Sequence, residues 1–275
     1  MARTINKNKR SKADDLSIGG LINNIPPLKP KGNSPKTARI VTLIVIVLAA
    51  GLFVAKQFMS KRETATVPAV GEAPLELNGF GPEGAGGDPE LNKLKNRNIA
   101  PKKVVEYTVK QIVAIPHEIL DQEGKRRRSA WYPAARLHAE KYESQGAQVT
   151  GYIIRVKQSG PESANGYSDS TKDYHIWIAD TPEGSKNNSM VVEVTPRWKV
   201  VYPEWKLKYF QNLARQKAKV RVTGWLLWDH EHASEVDKSR GTQWEIHPIT
   251  RFEIFSNGAW RELTGEFANG TPENL

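Results

Sequence analysis

The chain has no cysteine among its 275 residues. That excludes disulfides, thiolate-bound zinc and a thiol nucleophile. It also lacks a G-x-S-x-G elbow, a phosphate-cradling glycine loop and a dinucleotide fingerprint, so the common serine-hydrolase and nucleotide-binding signatures are missing. No internal repeat is present. Acidic residues are the minority, 30 against 40 basic ones, for a net charge of +10. A basic excess of that size invites a nucleic-acid reading, but its distribution points elsewhere. Residues 1–39 hold nine basic and two acidic residues, 40–99 six of each, and 100–275 25 and 22. Most of the excess therefore lies in the first 39 residues, beside the longest apolar run.

That run, IVTLIVIVLAAGLFVA from Ile40 to Ala55, is free of charge. It is shorter than the roughly 20 residues that cross a bilayer core, but Lys56 can snorkel and Phe58 and Met59 prolong it. A transmembrane helix over 39–59 is expected, with Ile40, Leu43, Val47, Leu52 and Phe53 in the lipid. The basic residues before it place the N-terminus in the cytoplasm and the C-terminal domain in the periplasm or outside the cell. Lys56, Lys61 and Arg62 pull against that orientation, and a cleaved signal peptide is the rival reading. The long preceding segment speaks against cleavage.

Residues 1–38 read as a basic, disordered cytoplasmic tail. Residues 60–100, crowded with Gly79, Gly81, Gly84, Gly86 and Gly87 and with Pro68, Pro74, Pro82 and Pro89, read as a linker. Residues 101–147 form an N-terminal extension of the folded domain. Within it VVEYTVKQIVAI suggests a strand or extended edge, and Pro133 to Ser144 a helix. The run Lys125–Arg128 reads as a solvated loop, and residues 257–275 as a C-terminal tail.

Residues 148–256 carry the densest signal. Five runs rich in β-branched and aromatic residues follow one another: QVTGYIIRVKQ, DYHIWIAD, MVVEVT, KVRVTGWLLW and TQWEIHPITRFEIF, the last interrupted at Pro248. Between the third and fourth, Pro203 to Lys217 places Trp205, Tyr209 and Leu213 on one helical stripe. The order β-β-β-α-β-β is that of the OB-fold, a small five-stranded Greek-key barrel. Gly151 and Gly224 fall mid-strand, where a small barrel must bend. The expected class is thus mainly β: an OB-fold-like barrel with one helix between its third and fourth strands. The rival is an open sandwich with a covering helix.

The strings GYIIRVKQSGPESAN, DYHIWIAD, EVTPRW and WEIHPIT also resemble a group of bacterial proteins with a nucleic-acid-binding-type OB domain, often behind a signal or membrane anchor. The resemblance covers about residues 130–256, with EVTPRW and WEIHP the specific parts. It implies a barrel and an envelope setting and carries over no catalytic residue.

Strand alternation puts Asp173, His175 and Trp177 on one face, Glu193 and Thr195 on one face, and Glu245 and His247 on one face. If the registers agree, His175, Glu193 and His247 converge, as a structural polar network, an acid–base pair or a divalent-metal site such as zinc. Arg197 is expected to pair with Glu193 or Glu245. Asp173, His175, Trp177, Glu193, Arg197, Glu245 and His247 are therefore the candidate ligand-binding residues. His230 and His232 read as part of a solvated loop. The function expected is a membrane-tethered binding module, not an enzyme, with a protein or glycan ligand. The alternatives are a metal-dependent hydrolase and a single-strand nucleic-acid binder, the latter disfavoured by the near-neutral domain.

Overall fold

The computed structural model describes residues 64–67 and 70–263. The tail 1–38, the apolar run 39–59 with Ile40, Leu43, Val47, Leu52 and Phe53, and residues 264–275 lie outside them. Among the described residues no helix is long and apolar enough to cross a membrane.

A short strand β1 (Thr64–Thr66) pairs antiparallel with β2 (Lys103–Thr108). Between them lies helix α1 (Pro89–Lys95). After β2 the chain turns directly into α2 (Val109–Val113), because Thr108 and Gln111 close a capping box there. Two helices follow, α3 (Glu118–Asp121) and α4 (Pro133–Glu143). On α4 the buried positions are Ala135, Ala139 and Glu143, whereas Leu137 is 68% exposed.

The barrel is built from β3 (Gly146–Gln158), β4 (Tyr174–Ala179), β5 (Ser189–Val194), β6 (Lys219–Trp228) and β7 (Trp244–Ser256). β3 pairs antiparallel with β4, and β4 with β5. β5 pairs parallel with β7, β7 antiparallel with β6, and β6 antiparallel with β3, which closes the ring. A last strand, β8 (Ala259–Glu262), hangs on β7, and β2 extends β3 in parallel. The result is a mainly β protein around a closed five-stranded barrel of mixed direction.

Alternation explains the core. Ile176 and Ile178 of β4, Val192 and Val194 of β5, and Val220, Val222 and Leu226 of β6 are buried in one apolar cluster with Ile246 and Phe252 of β7. Burying one such side chain contributes roughly 1.5–3 kcal/mol. Gly224 belongs to this row because a Cβ there would lie 2.2 Å from the Pro248 carbonyl oxygen. The register shifts beside Gly224 mark a bulge against β7. β7 is therefore continuous through Pro248, across a cis His247–Pro248 bond, and not interrupted there.

Several expectations need correction. Residues 70–100 are not a bare spacer. Asp88 caps α1 and Pro89 opens it, so Leu91, Asn92, Lys95 and Asn96 become buried. Gly84 serves a turn, with φ +66° and the Ser163 carbonyl where a Cβ would point. The segment Pro203–Lys217 is helical only as α6 (Leu207–Arg215), and a separate α5 (Pro196–Val201) begins at Pro196 of EVTPRW. The apolar stripe survives this: Trp205, Tyr209, Phe210 and Leu213 are all buried, and Phe210 meets Phe252 edge-on at 5.1 Å. Past residue 256, Asn257 and Gly258 both take positive φ and turn the chain into β8, so that part of the expected tail is folded. Arg128, at the end of the basic run, is buried.

Candidate functional site

The face of β4 and β5 opposite the apolar core carries the polar residues. β4 and β5 place His175 directly across from Glu193, and the parallel pairing of β5 with β7 sets Val191 beside Glu245. His175 Nε2 lies 3.2 Å from Glu193 Oε1, and His247 Nδ1 lies 3.3 Å from Glu193 Oε2. The three residues thus meet, but the imidazoles face different oxygens of one carboxylate. Around His247 stand Asp173, 3.9 Å from its Nε2, and Glu245, 3.6 Å from its Nδ1.

Five of the seven expected residues therefore form one cluster: Asp173, His175, Glu193, Glu245 and His247. Trp177 lies beside it, buried, with its indole N–H donating to the Ser239 carbonyl at 2.7 Å. Arg197 does not join. Instead of pairing with Glu193 or Glu245, its guanidinium donates to Asn96 Oδ1 at 2.8 Å and to the carbonyls of Phe80 and Gly81 at 2.9 and 3.0 Å. It pins the segment before α1, where turn carbonyls lack partners from a regular element.

Residues outside the expected set complete the cluster. Lys95 from α1 is 3% exposed and sits 2.8 Å from Asp229, 3.5 Å from Glu231 and 3.7 Å from Glu162. Arg240 pairs with Glu245 and lies 3.2 Å from Glu235. His232 Nδ1 lies 3.1 Å from Asp229, and Asn165 donates to Asp173 at 3.0 Å. The span 229–235 is accordingly solvated only in part, with Glu231, Ala233 and Ser234 exposed. Asp229 caps a 3-10 turn, and Asp229 and His230 are both buried. The strings DHEH and GPESAN could have signalled Asp229, His232 and Glu162; Lys95 stands in a segment with no readable period.

Burial alone would raise the Glu193 carboxyl, but the His175 and then the His247 imidazoles outweigh it and hold it well below the usual carboxylate range. In return Glu193, followed by Glu162, overcomes burial and holds His175 well above the ordinary imidazole range. His247 is raised by Glu193 against the same burial cost. Asp173 goes the other way: burial, and then the Glu162 carboxylate, push it up to about 7. Lys95, despite burial, is raised well above its usual value by Asp229 and Glu162. His230 is pushed down to about 4 by burial and then by the Arg128 guanidinium.

A cleft of about 570 Å³ opens over this cluster. The segment between β3 and β4 forms one wall and the segment between β6 and β7 the other, with Arg155, Glu162, Tyr167, His175, Trp177 and His232 among its lining. Three triads offer ligand atoms within 4.8 Å of one another: Glu162–His175–Glu193, Asp173–Glu193–His247 and Asp229–His232–Glu245. Only the first borders the cleft through two of its members, His175 and Glu162. Of the aromatic rings nearby, Tyr167 lines the cleft and is 57% exposed, and three others are covered. The Arg155 guanidinium lies 4.9 Å over Trp177, the Lys199 ammonium 4.0 Å over Tyr174, and Trp198 is buried with its indole N–H on the Arg97 carbonyl. No protein-family model, curated protein or solved structure matches the chain.

Proposed function

We propose that this chain is a membrane-tethered, extracytoplasmic binding module of the OB type, whose ligand enters the cleft above His175. The observation that carries the reading is the position of that cleft. Counted around the barrel, the strands run first, second, third, fifth, fourth and back to the first, with the third and fifth parallel. That is the strand arrangement of an OB barrel. The cleft lies outside the second strand, between the first loop and the loop joining the fourth and fifth strands, where OB-folds take their ligands. Tethering rests on the apolar run 39–59 and the basic residues before it.

The lining indicates the ligand class. Arg155 and Lys157 line the same space as Glu162, Glu231 and Glu235, with Lys95 ion-paired to Glu162 and Glu231 at its edge. Mixed charge of this kind suits a polar chain with donors and acceptors, a peptide segment or a glycan, better than a polyanion. A single-stranded nucleic acid needs a run of open aromatic faces for base stacking, and among the described residues the cleft offers one, Tyr167, because Trp177 lies under Arg155.

The test uses full-length protein against peptide and glycan libraries. Capture is expected to be lost on Arg155→Glu and kept on Lys110→Glu, which lies away from the cleft. A ligand held equally by both variants would remove the cleft from the reading, and tight oligonucleotide binding at moderate salt would replace it with nucleic-acid recognition. The tether is tested separately: Val47→Arg should move the protein from the membrane fraction to the soluble one, at a cost of about 2.5–3.5 kcal/mol for a cation at mid-bilayer.

A further inference from the structure

We propose that Glu162, His175 and Glu193 form a binding site for one divalent transition-metal ion in the floor of the cleft. The three come from separate elements: the β3–β4 loop, β4 and β5. His175 Nε2 is the hub, 3.2 Å from Glu193 Oε1 and 3.6 Å from Glu162 Oε1. All three donor atoms lie within 4.8 Å of one another, a spread that a cation with bonds near roughly 2 Å can span. Two carboxylates and a neutral imidazole balance a charge of +2. One imidazole with two carboxylates suits zinc, manganese, iron or cobalt better than calcium or magnesium.

A second observation points to the same place. Glu193 is 1% exposed, and neither of its oxygens receives a hydrogen bond. A buried carboxylate normally gathers several donors. This one faces imidazole nitrogens alone, one at the cleft and one behind it. The rear contact has the form of an outer shell. His247 holds Glu193 Oε2, Asp173 and Glu245 flank His247, and Asn165 donates to Asp173. Such partners orient a ligating group and are characteristic of metal centres.

The other two triads are weaker sites. Asp173, Glu193 and His247 are all fully buried, with no side open for the remaining ligands or for entry. In the third, Asp229 and Glu245 already have Lys95 and Arg240 as their cations. At the proposed site His175 and Glu162 are 12% and 21% exposed at the side chain and border the cleft, so an ion has a way in and room for water or a ligand atom. Lys95 lies on the far oxygen of Glu162 and keeps Asp229 and Glu231 as partners when Glu162 turns to the metal.

The test reads the metal directly and does not depend on what else fills the cleft. Tag-free full-length protein, stripped with a chelator, is titrated with Co²⁺ and back-titrated with Zn²⁺. One equivalent of Co²⁺ is expected to bind with a visible absorption band that Zn²⁺ abolishes. Glu162→Gln, on the loop, is expected to weaken Co²⁺ at least tenfold while leaving the far-ultraviolet circular dichroism unchanged, and His175→Gln to do the same. Glu183→Gln, an exposed carboxyl elsewhere, is the control and should bind like the wild type. No band in the wild type, or equal affinity in Glu162→Gln and wild type, overturns the proposal.

Discussion

Arg128 and Glu143 form a buried two-pronged ion pair, with Arg128 Nη1 2.8 Å from Oε2 and Nη2 2.5 Å from Oε1. Both also hold the backbone of Trp228: Arg128 donates to its carbonyl at 2.6 Å, and Glu143 accepts its N–H at 2.9 Å. The pair thereby locks α4 to the last residue of β6, where the wall of the cleft begins.

Removing one partner leaves a buried charge. Glu143→Ala is expected to cost about 3–5 kcal/mol, measured by urea unfolding. Arg128→Met with Glu143→Leu should cost less than Glu143→Ala alone, because no charge is stranded. A single variant within about 1 kcal/mol of the wild type would show that water reaches the pair.

Two glycines separate steric need from mere flexibility. Gly224→Ala drives a methyl onto the Pro248 carbonyl, 2.2 Å away, and onto Ile246. A loss of about 2–3 kcal/mol is expected, in the range for overpacking a filled core. Gly160→Ala meets nothing within 4 Å and should leave the thermal midpoint unchanged. Equal effects at the two positions would refute the bulge as the reason for Gly224.

His230 makes the domain acid-sensitive. Its folded pKa of about 4 lies below the ordinary value of 6.5, so the unfolded chain takes up the proton first. The stability this histidine supports is fully present above about pH 6.5 and is lost as pH falls towards 4. The full effect is about 3 kcal/mol, as an upper bound. Asp173, raised to about 7, acts in the opposite sense over the same range. The measurement is therefore the difference between wild type and His230→Gln in urea unfolding at pH 7.5 and 4.5. The variant should be relatively more stable at the acid end; a difference independent of pH would rule the effect out.

Arg197 is a fastener of the 75–81 segment. Arg197→Met removes the donors to Asn96, Phe80 and Gly81, and charged hydrogen bonds of this kind are worth roughly 1.5–3 kcal/mol each. Limited proteolysis read by mass spectrometry should show new cuts between residues 75 and 88, with the barrel still intact. Arg197→Lys should protect only in part, since one ammonium cannot reproduce the fork. Cleavage unchanged in both variants would show that the segment is held by α1 alone.

The barrel was legible because its information is local. Strand alternation separates Val220, Val222 and Leu226 from the outward face, and it put His175, Glu193 and His247 each on one face of its own strand; that they meet depended on the registers. What escaped is long-range. Lys95 enters the cluster only because α1 docks beside the barrel, and α1 is seven residues long, too short for a helical period to stand out. Arg197 was expected to pair with Glu193 or Glu245, yet Asn96 and the turn carbonyls of Phe80 and Gly81 took it. The Asn257–Gly258 turn, by contrast, is a local hairpin signal that lies within the expected tail. The start of α6 was hidden because the apolar stripe begins at Trp205, in the turn before the helix opens at Leu207.

The Arg197–Asn96 contact spans 101 residues of chain. A ribosome adding roughly 5–20 residues per second makes Asn96 about 5 to 20 s before Arg197. During that interval α1, with Leu91 and Lys95, has no barrel to dock against. The segment that seals the polar cluster is thus synthesised well before the residue that fastens it.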